Sequence, residues 1–176
     1  MRGVRSDAEN QIFSELMLEA PSEFSGDKSM FEKLVRAQHY GLPTRLLDVS
    51  LNPLVGLYFA CNEKEHSSKD GAVRVFDFIE KRVKFGDSDT VILICNLARL
   101  SDEKRGEIAQ AYCGLELGKA ASKVRFRGKA AVKRLMQFVR IEKPYFLNLI
   151  EPSDLFRYFF VYPAKTNRRV RTSSRN

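Results

Sequence analysis

The chain of 176 residues has no tryptophan, only two histidines and only three cysteines. Cys61, Cys95 and Cys113 are far apart in sequence and each sits among apolar residues. That excludes a disulfide frame and a zinc cluster, and reduced, buried thiols in a cytoplasmic protein are expected. Two histidines and scattered acids give no metal-ligand spacing. No apolar run approaches the roughly 18 residues that a membrane helix needs, and the N-terminus turns polar at once, so no secretory leader and no membrane partner are expected. Glycine is never dense enough to cradle a phosphate: Gly41 stands alone, and Gly114 and Gly118 do not follow a strand. Internal repeats and low-complexity segments are also absent.

What is present suits one ordinary core. Hydrophobic residues make up 44% of the chain, with thirteen phenylalanines and six tyrosines, enough for a single domain. The net charge is +8, from 30 basic and 22 acidic residues. Five of the basic residues, Lys165, Arg168, Arg169, Arg171 and Arg175, fall in the last stretch, which holds no acid. Without them the body is near balance. Such a tail is either a solvated terminus or a contact for nucleic acid; no aromatic residues interleave with its arginines as they would on a stacking platform.

The periodicities predict a helix over residues 6–20, where Ser6 caps, Glu9 is its capping-box partner and Ile12, Phe13, Leu16 and Met17 form a stripe. A second helix is expected over 29–38, a strand over 44–49, and a helix from Pro53 to about Cys61. Alternation over 71–79 reads as a half-buried strand. The run Val91-Ile92-Leu93-Ile94-Cys95 reads as a central strand over 90–97, paired as a hairpin with its predecessor through the turn at Asp87. Helices are expected at 101–113 and 129–142, the latter basic on one face through Lys129, Lys133, Arg134 and Arg140. Aromatic-rich strands are expected at 145–150 and 156–161, and a last basic strand at 168–171.

The densest stretch is 37–60. Asn52 before Pro53 is a helix start with a mechanism: the amide side chain accepts an orphan N–H, and proline loses nothing at the first helical position. Leu54, Val55, Leu57, Tyr58, Phe59, Ala60 and Cys61 are apolar on nearly all sides, so this helix is expected to be buried. Around it lie eight polar side chains: Gln38, His39, Tyr40, Thr44, Arg45, Asp48, Ser50 and Asn52. Packed at a buried strand–helix junction, they must be paired there or line a cleft. A paired network would join Arg45 to Asp48, use Gln38 and Asn52 on backbone groups, and let His39 donate to a carbonyl. A Ser-His-Asp set could be written from Ser50, His39 and Asp48, but nothing around Ser50 has the form of a nucleophile elbow.

The run Gln38-His39-Tyr40-Gly41-Leu42-Pro43-Thr44-Arg45-Leu46-Leu47-Asp48, then Asn52-Pro53-Leu54 and an apolar helix ending Tyr58-Phe59-Ala60, resembles the signature of the FRG domain, a family of bacterial and phage proteins. Arg2-Gly3 occupies the place of that family's aromatic-Arg-Gly motif, with Met1 for the aromatic. Asp70-Gly71-Ala72-Val73 also resembles it. Both ends read as clipped against the family pattern, and little resembles it between about 98 and 155. The layout is similar in turn to ADP-ribosyltransferases. That resemblance implies Arg2 as the residue gripping NAD phosphates or ribose and Ser50 as support for the nicotinamide ribose. His39, Tyr40 and Arg45 would be cleft residues. No third, acid-bearing motif can be placed; Glu142 and Glu151 are the nearest acids and match none.

The expectation is a single α+β domain over 1–164 with a mostly antiparallel, or split, sheet around the strand–helix unit, followed by a basic tail over 165–176. The leading functional expectation is a small nucleotide-like ligand bound by Arg2, Gln38, His39, Tyr40, Thr44, Arg45, Asp48, Ser50 and Asn52, with NAD the cofactor that the resemblance implies. The alternatives are nucleic acid or a protein held by the helix at 129–142 and by Lys165, Arg168, Arg169 and Arg171, or an inactive remnant.

Overall fold

The computed structural model describes residues 8–62, 68–116, 119–148 and 150–162. Among them seven α-helices and a two-stranded sheet follow in the order α1 (Ala8–Glu19), α2 (Met30–His39), α3 (Pro53–Cys61), β1 (Val83–Phe85), α4 (Asp89–Asn96), α5 (Asp102–Cys113), α6 (Ala120–Arg127), α7 (Ala130–Glu142) and β2 (Phe160–Tyr162). The class is α+β, weighted heavily to helix.

Local chemistry sets the ends of α2. Ser29 accepts from the Glu32 backbone N–H at 3.2 Å, while the Glu32 carboxylate accepts from the Ser29 N–H at 3.1 Å. This capping box satisfies donors that the first turn leaves orphaned. At the other end Gly41 has φ of 80°. Its N–H reaches the Gln38 carbonyl at 2.9 Å and the Leu42 N–H reaches back to Ala37 at 3.2 Å. That pair of bonds is a Schellman closure, which needs a left-handed residue and so favours glycine. Met30, Phe31, Leu34 and Ala37 are buried on one face of the helix.

Two apolar clusters hold the helices together. One joins Phe13, Phe24, Phe31 and Leu34 to Val91, Cys95 and Ala98. The other joins Ile92, Leu93, Leu97 and Ile108 to Phe126, Leu135, Val139 and Phe146. Helix α4 contributes to both. It is the run expected to be a central strand, and that expectation is corrected. A short, continuous apolar run is buried on all sides in either form, so periodicity cannot choose between them. In the helix, Val91 and Cys95 are one turn apart and face α1 and α2, while Ile92 and Leu93 face α5, α6 and α7. Asp89 in its first turn suits the positive end of the helix dipole.

The sheet is also corrected. The pairing is parallel, with Val83 opposite Phe160, Lys84 opposite Val161 and Phe85 opposite Tyr162, instead of mostly antiparallel. The expected strands over 44–49, 71–79 and 145–150 form no ladder. Pro144 and Pro152 remove two donors beside the 145–150 segment. Its Phe146 and Ile150 still fill the second cluster. The 71–79 segment starts by running back along α3: Val73 lies 3.7 Å from where a Cβ on Gly56 would be, and a Cβ on Gly71 would stand 2.3 Å from the Ala60 carbonyl oxygen. Only glycine allows that approach. The expected strand at 168–171 and the expected cap Ser6 lie outside the described residues.

Helix α3 forms over the expected residues, with Asn52 accepting from the Leu54 N–H at 3.0 Å. It is not buried. Leu54 is 71% exposed and Phe59 72%. Its all-round apolar surface needs cover on all sides, and among the described residues none of its side chains is buried. No helix among the described residues is long and apolar enough to cross a membrane.

All three cysteines are free thiols, as the sequence implied, but only Cys95 is buried. Burial pushes its thiol up to about 12, against the opposing pull of the nearby Arg45 guanidinium. A native-state thiol titration should therefore count the exposed Cys61 and Cys113 rapidly and Cys95 only on unfolding; three rapid thiols would contradict this packing. Truncating Leu135, which is fully buried, to alanine should cost about 2–5 kcal/mol by denaturant unfolding. Leu57→Ala on exposed α3 should cost within about 0.5 kcal/mol, and equal losses would show that α3 is covered.

Candidate functional site

Arg45 sits in the loop between α2 and α3, with its side chain 19% exposed. Its guanidinium faces Glu9 of α1 in a two-pronged pair, Nε donating to Oε1 at 3.0 Å and Nη2 to Oε2. Its Nη1 donates to the Ile94 carbonyl of α4 at 3.2 Å. Arg105 of α5 donates to the same carboxylate, Nη1 to Oε2 at 3.0 Å, and to Asp102 at 3.2 Å. One carboxylate thus ties together α1, the signature loop and α5. The expected partner Asp48 is instead exposed and makes no hydrogen bond or ion pair among the described residues.

Arg105 also lines a cleft of about 370 Å³, walled by Leu97, Asp102, Ile108, Leu155 and Phe156. The Phe156 ring stacks on Tyr112 with centroids 4.2 Å apart. The cleft is apolar with one cation and one anion at its edge. A second hollow of about 310 Å³ lies between Phe13, Lys28, Lys33, Arg99 and Glu142. There Arg99 lies over the Phe138 ring at 4.3 Å, and burial lowers its pKa. Among the described residues no three of His, Cys, Asp and Glu come together as metal ligands would.

The other signature residues that the structure describes line neither of these two hollows. Thr44 accepts from the Leu46 N–H at 3.3 Å. Ser50 accepts from the Asn52 N–H at 3.1 Å and donates to its carbonyl. Asn52 caps α3, as the sequence implied. Tyr40 donates its hydroxyl to Glu23 at 2.7 Å, and that bond holds its pKa above the usual range. Gln38 is half-buried and His39 exposed. Neither side chain has a hydrogen-bond partner among the described residues. Arg2, His66 and the basic residues 165–176 lie outside the described residues. Of the two acids nearest a third motif, Glu142 accepts from Asn96 at 3.0 Å and Glu151 pairs with Lys123 at 2.8 Å.

Residues 2–69 match the family model of the FRG domain. The FRG match covers α1, α2, the signature loop and α3, and bears out the likeness carried by residues 38–60. Both partners of the two-pronged pair, Glu9 and Arg45, fall inside it, whereas Arg105 and the cleft lie beyond. No curated protein and no solved structure matches the chain.

Two residues of this site were not singled out from sequence. From sequence Glu9 reads as a capping residue, and Arg105 carries no signal of its own. The signal was the stripe itself. Glu9 is one turn before the buried Phe13, and Arg105 is three residues before Ile108, the buried residue of α5. A charge on the inward face of a helix requires a partner. If the network is one unit, Glu9→Ala and Arg45→Ala should be non-additive, with a coupling of about 1 kcal/mol or more in a double-mutant cycle. Additive losses would mean that the two residues act separately.

Proposed function

We propose that this FRG-domain chain binds a small, nucleotide-like anion in the cleft beside Arg105. The observation that carries the reading is the shared Glu9 carboxylate, which joins the signature Arg45 to the Arg105 side chain of the cleft. Arg45 acts as a positioning residue, and Arg105, held by Glu9 and Asp102, places a cation at the edge of the cleft that attracts a phosphate or diphosphate. The apolar wall with Phe156 suits a base. A cleft of about 370 Å³ falls in the size range of small-molecule sites. NAD and ADP-ribose are the probes to use first, because the wider likeness of the signature is to ADP-ribosyltransferases. In this reading binding comes ahead of any transfer reaction. The local bonds of Thr44, Ser50 and Asn52 build the loop that delivers Arg45.

Thermal unfolding with and without NAD or ADP-ribose tests this. A ligand that binds only the folded chain stabilises it by about 2.7 kcal/mol at a hundredfold excess over its dissociation constant. The shift should survive moderate salt. It should disappear in Phe156→Ala and weaken in Arg105→Lys, which keeps the charge and loses the paired bonds to Glu9 and Asp102 that place it. An unshifted midpoint with both ligands overturns the reading.

A further inference from the structure

We infer that the outer face of α7, together with the end of α6, is a docking surface for the phosphate backbone of a nucleic acid, independent of the cleft. From Lys119 to Lys143 the chain carries nine basic residues and a single acid, Glu142. That acid is turned away from the solvent face: its Oε1 accepts from the buried Asn96, and its Oε2 is itself buried. The bases at the edges are neutralised by ion pairs, Lys119 by Glu116, Lys123 by Glu151 and Lys143 by Asp89. Those in the middle are not. Arg125, Lys129, Lys133 and Arg140 are exposed and make no ion pair or hydrogen bond among the described residues.

Their placement is regular. At 3.6 residues per turn, Lys129, Lys133 and Arg140 fall within about 40° of one another around the α7 axis, in a stripe about 16 Å long. That length spans about five phosphates along one strand of a duplex. Arg134 lies beside the stripe, over the Phe138 ring at 4.6 Å. Ala131, Val132, Leu135, Met136 and Val139 of the same helix are committed to the core. A membrane-surface helix would need apolar side chains turned outward beside its bases, and α7 offers only Ile141 there. Just past the helix end, Tyr145 is 94% exposed, a free ring on which an unpaired base can stack. Those two features favour a nucleic acid over an anionic lipid surface.

The test is a fluorescence-anisotropy titration of the full chain with labelled mixed-sequence single-stranded and duplex DNA over a range of salt. Binding should weaken with salt by a logarithmic slope of about −0.7 per phosphate for single strands and −0.9 for duplex. The triple variant Lys129→Glu, Lys133→Glu, Arg140→Glu should lose about one unit of that slope per residue with its unfolding midpoint unchanged, because none of the three side chains packs in the core. Tyr145→Ala should weaken the single strand more than the duplex. A control variant with glutamine at Lys165, Arg168, Arg169 and Arg171 should still bind. The proposal is overturned by failure to bind either DNA at low salt, by binding that the triple variant leaves intact, by loss of binding in the tail variant alone, or by preference for phosphatidylserine vesicles over DNA. Because the readout is salt-sensitive and the cleft is untouched, these results are separable from those with NAD.

Discussion

Burial of α4 on opposite faces is the constraint on which the other elements depend. Val91 and Cys95 are claimed by the cluster of α1 and α2, and Ile92 and Leu93 by the cluster of α5, α6 and α7. Removing either group of helices would expose half of an apolar helix to water, at about 25 cal/mol for each Å² uncovered. The polar end of α4 is tied down through one side only, since the Asn96 Oδ1 is buried with no partner among the described residues. Asn96 is fully buried, and its side-chain amide donates to Ile92 one turn back at 2.9 Å and to Glu142 at the end of α7. A buried amide left without partners costs more than the bond itself contributes. The end of α7 is therefore held to the end of α4, and the two clusters share a support and should melt together.

The sequence was most readable where a short-range rule settles the outcome. The asparagine–proline start of α3 satisfies a backbone group within two residues, so no distant contact can overrule it. Helix α7 is legible because one of its faces is basic, through Lys129, Lys133, Arg134 and Arg140. Where a segment is apolar on every side, the pattern carries no direction. That is why α4 reads from sequence as a strand and α3 as a buried helix. The 71–79 alternation is real, but an extended segment becomes a strand only when another backbone pairs with it, and pairing over such distances is not written in the segment.

Several polar residues of the signature satisfy backbone groups of their own loop. The loop between α2 and α3 has no ladder to satisfy its backbone. Thr44, Ser50 and Asn52 supply the missing acceptors in turns of a kind that these residues favour. Arg45 is the exception, because its bonds reach α1 and α4 instead of its own neighbours. Need for a partner was evident from its position among apolar residues, but its identity, Glu9, was set by tertiary packing. The FRG match ends before α4, yet its arginine is secured against α4 and shares its carboxylate with α5. The signature loop thus takes its shape partly from residues outside the matched segment.

The parallel pairing of β1 with β2 joins strands separated by four helices. It is only three residues long, so its few hydrogen bonds must offset the entropy of closing a long loop. The helices between them are packed on one another through the two clusters. The ladder can hold only after they have drawn its strands together. It is accordingly a clasp whose integrity depends on the whole assembly between its two halves.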